Sequence, residues 1–284
     1  MSRKSFYEII DSIGLNPSDE YKRILNLFSY EKSIGVYGGR SMTLQEYINV
    51  EHFRKCSFRG TYTDITEMIS VIVRGRGPYN MDWDTLYQYF EFLLAVFFDK
   101  NVEKDDKISQ NDQVKTIIEN IITTVKRSNH VLHNIGDTYN PRYVIVENDK
   151  AMAQAAEITS ENPVSIDIIE YKHNSIKGNL GEKRKLLNAI GNYIEPILKS
   201  KKLQNAGYRQ LESDTGFLLN CFHVRHNNKD GPNAQEYIVS LDDSKLEEWY
   251  DKIYNTLLSV IIIGEQIDIL DELDSLKKSH NWRT

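Results

Sequence analysis

Only two of the 284 residues are cysteine, Cys56 and Cys221, and neither has clustered His or Cys neighbours. A disulfide scaffold and a zinc finger are therefore excluded, and each thiol reads as a small apolar core residue. Proline and glycine are sparse, at 6 and 15, and polar low-complexity tracts are absent, so extended disorder is not expected. No apolar run approaches the ~20 residues that a membrane helix needs. The start, Met1-Ser2-Arg3-Lys4 followed by Ser5-Phe6-Tyr7-Glu8, lacks the apolar centre of a secretion signal. A cytoplasmic protein without a membrane partner is expected. Positive charge is also in deficit, 35 Lys and Arg against 41 Asp and Glu for a net charge of -6, so contact with nucleic acid would require a local basic site. The stretch Gly35-Val36-Tyr37-Gly38-Gly39-Arg40 lacks the Lys-Ser/Thr ending of a phosphate loop and reads as a turn. Arg74-Gly75-Arg76-Gly77-Pro78 reads as a solvated loop. No paired carboxylates stand beside a Gly-Ser element, which argues against a nucleotidyltransferase.

What is present is helical periodicity, in two halves. Amphipathic segments at 6–10 and 21–28 open the chain. The segment 83–98 carries aromatic and aliphatic residues on every face and reads as a buried helix. Val114, Ile117, Ile118, Ile121, Ile122 and Val125 follow a helical period up to Arg127 and His133. Tyr143-Val144-Ile145-Val146, after Asn140-Pro141, is the one convincing strand and implies a small β-hairpin between two helical bodies. The expected organisation is a helical region over 1–140 and a second domain over 141–284.

The second half contains a short helix at 151–158 and four longer ones. The first spans 163–173 and the second 182–203, with Pro196 bending it or ending it early. The third spans 208–228, and the fourth starts at the acidic cap Asp242-Asp243-Ser244. Short connections imply an antiparallel four-helix bundle, so the fold class is mostly all-α. The run 257–263, apolar on nearly every side, suggests a dimer interface or contact with the first half.

Chemistry concentrates in Phe222-His223-Val224-Arg225-His226-Asn227-Asn228. Continuing the phase of Leu211, Leu218, Leu219 and Phe222 puts Arg225 and His226 on a groove between helices. Metal-free cleavage of RNA needs a base, an acid and a cation for the charged phosphorane. His223, His226 and Arg225 can supply these, with Asn227 beside them. The other role open to the same residues is structural, with Arg225 pairing Glu170 or Glu195. Glu170 and His173, three residues apart, share one helix face and form a polar layer; a metal site would need a second copy, which is lacking, so neither metal nor cofactor is expected. Lys183, Arg184 and Lys185, with Lys199, Lys201 and Lys202, form either a basic strip for RNA phosphates or a solvated face.

Glu170-Tyr171-Lys172-His173, Lys177-Gly178-Asn179-Leu180-Gly181-Glu182-Lys183-Arg184, Phe217-Leu218-Leu219-Asn220, Arg225-His226-Asn227-Asn228 and Glu247-Glu248-Trp249-Tyr250-Asp251 resemble the motif series of bacterial abortive-infection proteins, whose C-terminal region is similar to a HEPN domain. The resemblance covers roughly 143–273. It implies a HEPN-like bundle in antiviral or stress defence, a homodimer, and a metal-independent endoribonuclease acting on RNA such as tRNA or mRNA. Arg225 matches the family arginine, and His226 or Asn227 the polar position beside it. The family's distal His is replaced by Asp230, Gly231 or Pro232, so His223 or His226 would have to take its role. Asn228, Glu170, His173, Lys183 and Arg184 are the expected binding residues. Arg127 and His133, with five residues between them, form an alternative catalytic pair by spacing. The rival reading is a non-catalytic binding or regulatory module that senses a phage component or controls a co-encoded partner toxin.

Overall fold

Side-chain caps set most of the helix starts in this computed structural model, which describes residues 14–35, 39–137, 140–229, 232 and 234–280. The chain divides into two compact units, Met1–Glu147 and Asn148–Thr284. The expected helix at 6–10 lies outside the described residues, as do Val36, Tyr37 and Gly38 of the expected turn. The described residues are mostly helical, with two small two-stranded sheets among them.

In the first unit, α1 (Pro17–Leu25) starts at Asn16, whose side chain accepts from the Ser18 amide. A single π-helical turn (Asn26–Tyr30) leads to β1 (Lys32–Gly35), which pairs antiparallel with β2 (Ser41–Thr43). This hairpin was not expected, because its strands are too short and polar to show alternation. Thr43 and Glu46 form a reciprocal capping box on α2 (Leu44–Glu51). After α3 (Ile65–Ile72), the aromatic-rich segment becomes α4 (Trp83–Phe97), buried on several faces as its composition requires. Edge-on ring contacts surround it: Tyr21 on Tyr89 at 5.0 Å, Phe28 on Phe97 at 5.9 Å and Phe58 on Phe92 at 6.1 Å. A short α5 (Asp106–Ser109) precedes α6 (Asp112–Arg127), whose apolar stripe joins the same core.

The expected strand is β4 (Tyr143–Glu147), and its partner is β3 (His130–Asn134), in the register His130 opposite Glu147 through Asn134 opposite Tyr143. The Ile145 amide also donates to the Glu91 carboxylate of α4 at 2.6 Å. The first unit therefore ends at Glu147 rather than near residue 140, because ladder bonds tie β4 to β3.

The second unit contains α7 (Lys150–Ile158), α8 (Val164–Glu170), α9 (Leu180–Lys199), α10 (Lys202–Asn205), α11 (Arg209–Cys221), α12 (Glu236–Val239) and α13 (Asp243–Ser279). Asn179 caps α9 and Asp242 caps α13. Helix α9 stops soon after Pro196, and Lys201 takes a left-handed φ of 57° where the chain re-enters α10. Leu186, Leu187, Ile190 and Ile194 of α9 face a core that also holds Tyr250, Ile253, Tyr254 and Leu257 of α13. Leu257, Leu258, Val260 and Ile261 are at most 2% exposed, so most of the run 257–263 is core rather than an open interface.

Candidate functional site

Helix α11, the counterpart of the helix expected over 208–228, ends before the polar cluster, not after it. Phe222 is the C-cap of α11, with φ -100° and ψ 38°, and His223 follows in a left-handed conformation at φ 60°. A left-handed non-glycine residue ends an α-helix and persists only if neighbours hold it. Asn228 holds this one. Its side-chain oxygen accepts from the His223 amide at 3.1 Å, and its own amide donates to His223 Nδ1 at 3.1 Å. Because Nδ1 accepts, the neutral imidazole carries its proton on Nε2. Asn228 is 5% exposed and serves as the clasp of this loop rather than as an open binding group.

The helical phase expected to align Arg225 with His226 is thus broken, and the two side chains separate. Arg184 supports the loop from α9, its Nε donating to the Val224 carbonyl at 3.2 Å and its Nη2 to the His226 carbonyl at 3.4 Å. His226 and Asn227 are exposed. Arg225 instead turns to α9, donating from Nη2 to the Gly191 carbonyl at 3.0 Å and standing 4.0 Å from Glu195. A Cβ added at Gly191 would lie 2.9 Å from Leu219 Cδ2, so a larger residue there would have to displace the end of that buried side chain.

Arg225 lines a pocket of about 350 Å³ with Arg209, Lys199, Glu195, Glu212, Gln204 and Ser213, from three helices and the loop after α11. Lys199 bonds Glu195 at 2.9 Å, and the Lys199 bond and charge, helped by Arg225, hold that carboxyl below its ordinary range. Glu212 accepts from the Gln204 amide at 3.1 Å. Arg209 is exposed and has no partner among the described residues, and Arg225 Nε is buried without an acceptor. No imidazole lines the pocket. Arg209 was not singled out from the sequence, although Glu212, Ser213 and Gly216 follow it at the spacing of one helix face.

Lys183 does not join a basic strip. It is 5% exposed, and its ammonium contacts Asp251 at 2.6 Å and Glu247 at 2.9 Å above the Tyr171 ring. Tyr171 donates to the same Asp251 at 2.9 Å and stacks on Tyr254 at 4.2 Å. Glu247 also accepts from the Gly178 amide at 2.7 Å; that bond, with Lys183, lowers its carboxyl pKa. Three of the motif segments therefore meet in one ion-pair cluster. Three others of the strip take separate partners: Lys185 pairs with Glu182, Lys199 with Glu195 and Lys202 with Asp268.

Glu170 and His173 do not share a helix face, because α8 ends at Glu170 and His173 caps the following 3-10 turn, accepting from the Ser175 amide. Arg127 ends α6 while His133 sits in β3 opposite Val144, so their helical juxtaposition is lost as well. Burial lowers the His133 pKa, and its Nε2 has no partner among the described residues. Arg127 lines a separate open pocket of about 660 Å³ with Trp83, Asp84, Tyr87 and His130. Among the described residues no cluster of three or more His, Cys, Asp or Glu has the arrangement of a metal site. Among the described residues one helix, α13, is long and apolar enough by composition to cross a membrane, against the expectation that none would be; 44% of its apolar stretch is buried within the protein, as in the core helix of a globular unit. Comparison of the chain with protein families, characterised proteins and solved structures finds no match.

Proposed function

We propose that this is an RNA-recognising protein of the abortive-infection type, whose HEPN-like second unit grips the RNA backbone at the Arg225 pocket without cutting it. The observation that carries the reading is the convergence of two arginines on one pocket, Arg209 with no partner and Arg225 with its Nε unsatisfied among the described residues. A buried guanidinium N–H without an acceptor is costly, and a phosphate oxygen is the kind of charged acceptor that forms the strong bond it lacks. The pocket volume suits a phosphate and its sugar rather than a folded partner. Proton transfer in metal-independent cleavage needs a group that titrates near neutral pH. Glu195, kept ionised by Lys199, is a poor acid, and His226 lies outside the pocket lining. Binding is therefore favoured over endoribonuclease chemistry. In this reading the protein is cytoplasmic and defensive, and RNA occupancy signals a phage component or controls a co-encoded toxin.

Purified protein incubated with labelled tRNA and mRNA in excess chelator tests this. Wild-type protein is expected to retain full-length RNA and Arg225→Ala to release it. Cleavage that disappears in Arg225→Ala would restore the nuclease reading, and absence of any RNA retention would remove both.

A further inference from the structure

The C-terminal part of α13 leaves the body of its unit. At Gly264 the helix still packs closely, since an added Cβ would lie 3.3 Å from Ile197 Cδ1, and Ile267 is its last buried residue. Lys202 then pairs with Asp268. Residues 268–276 are all exposed, and the helix continues to Ser279, so 269–279 project roughly 16 Å at 1.5 Å per residue. Ile269, Leu270, Leu273 and Leu276 on this projection are 49%, 51%, 42% and 56% exposed. A lone helix of that length is marginal in water, and an apolar stripe on it calls for a cover.

The stripe has a definite register. Ile262, Gln266, Ile269, Leu273 and Leu276 follow one another at alternating steps of four and three, the d-a-d-a-d positions of a heptad seam. Glu265 and Glu272 then take the g positions, and Ile263, Leu270 and Lys277 the e positions. In a parallel pair each g residue faces the e residue of the next heptad on the other chain, which sets Glu272 opposite Lys277 of a second copy. Gln266 meets Gln266, a polar layer that fixes register. An antiparallel pair would instead bring the g-position glutamates together and oppose Gln266 to an apolar d residue. Asp268, Asp271, Glu272 and Asp274 ring the same turns, which suits a protein partner better than an anionic lipid surface.

We infer that residues 262–276 form a parallel coiled-coil seam through which two or more copies of this chain associate, independently of the RNA pocket. Because Ile263 and Leu270 widen the stripe at e, the seam accommodates more than one neighbour. The test is sedimentation equilibrium of the full chain. Wild-type protein is expected to sediment as a multimer, and Ile269→Glu with Leu273→Glu as a monomer with unchanged helical content and melting of the body. Glu272→Lys should weaken association at least tenfold, and Glu272→Lys with Lys277→Glu should restore it. A monomeric wild type, or a multimer that survives the Ile269 and Leu273 changes, overturns the seam; failure of the charge reversal to restore association overturns its parallel arrangement.

Discussion

Replacing Lys183 by methionine separates an ion-pair role from an RNA-contact role for the same side chain. The substitution keeps an unbranched apolar side chain of similar length and removes the ammonium, which lies 5.2 Å from the Tyr171 ring centroid. Two charge-assisted contacts disappear, at 2.6 Å to Asp251 and 2.9 Å to Glu247. Such bonds contribute about 1.5–3 kcal/mol each. The Asp251 side chain is 52% exposed and recovers hydration, whereas Glu247 is 23% exposed and recovers less, which brings the expected loss to about 3 kcal/mol. For a unit of this size that lowers its melting temperature by about 10 °C. Lys185→Met is the control, because Lys185 is 74% exposed and pairs only with Glu182 on its own helix; its cost should stay within about 0.5 kcal/mol. Acid adds a second signature. The Glu247 carboxyl is lowered from 4.5 by the Gly178 amide and by Lys183, so its contribution is complete above about pH 4.5 and is lost as pH falls through the lower folded value. Lys183→Met should flatten this acid limb in part, since the Gly178 bond remains. Denaturant titrations followed by circular dichroism and fitted for two units read both effects. A loss below about 1 kcal/mol, or unchanged stability with weakened RNA binding, would refute the buried ion-pair account.

Three further outcomes follow from single residues. Asn228→Ala removes the acceptor of the His223 amide and should cost about 1–2 kcal/mol, with faster hydrogen exchange confined to residues 222–228. Lys201→Gly relieves a left-handed residue at φ 57° on an exposed turn and should stabilise the second unit by about 0.5–1 kcal/mol in the same titration. Burial, with Asp99 nearby, pushes the Cys56 thiol up to about 12 at 3% exposure. Iodoacetamide near pH 8 should therefore modify the partly exposed Cys221 well before Cys56, as read by peptide mass spectrometry.

Long helices were legible in the sequence from their apolar stripes, as in α6, and from stripe and cap together in α13, which starts at Asp242, whereas the short capped helices α2 and α3 were not singled out. The strand Tyr143–Glu147 was legible from its β-branched residues, but its partner His130–Asn134 was hidden by the helical period running into it. The polar cluster was legible by composition and misplaced in geometry. Its apolar spacing continues through Phe222, whereas the break depends on Asn228 closing back onto His223, a contact that no local period records. Lys183 shows the same limit over longer range, since Asp251 lies 68 residues away and a Lys-Arg-Lys run by itself reads as surface. Arg209, remote in sequence from the cluster, is joined to Arg225 only by the packing of α11 against α9.

Under the proposed function the pocket shared by Arg209 and Arg225 binds RNA backbone and leaves it intact, and fluorescence anisotropy of a labelled single-stranded RNA in chelator reads both properties at once. Arg209 is the cleaner position to change, being exposed and outside the clasp. Arg209→Ala should weaken binding several-fold, lower the slope of log affinity against log salt by about 0.7, and leave the RNA at full length. Equal affinity and salt dependence for wild type and Arg209→Ala, or shortened RNA recovered from the wild-type cuvette, would contradict the account.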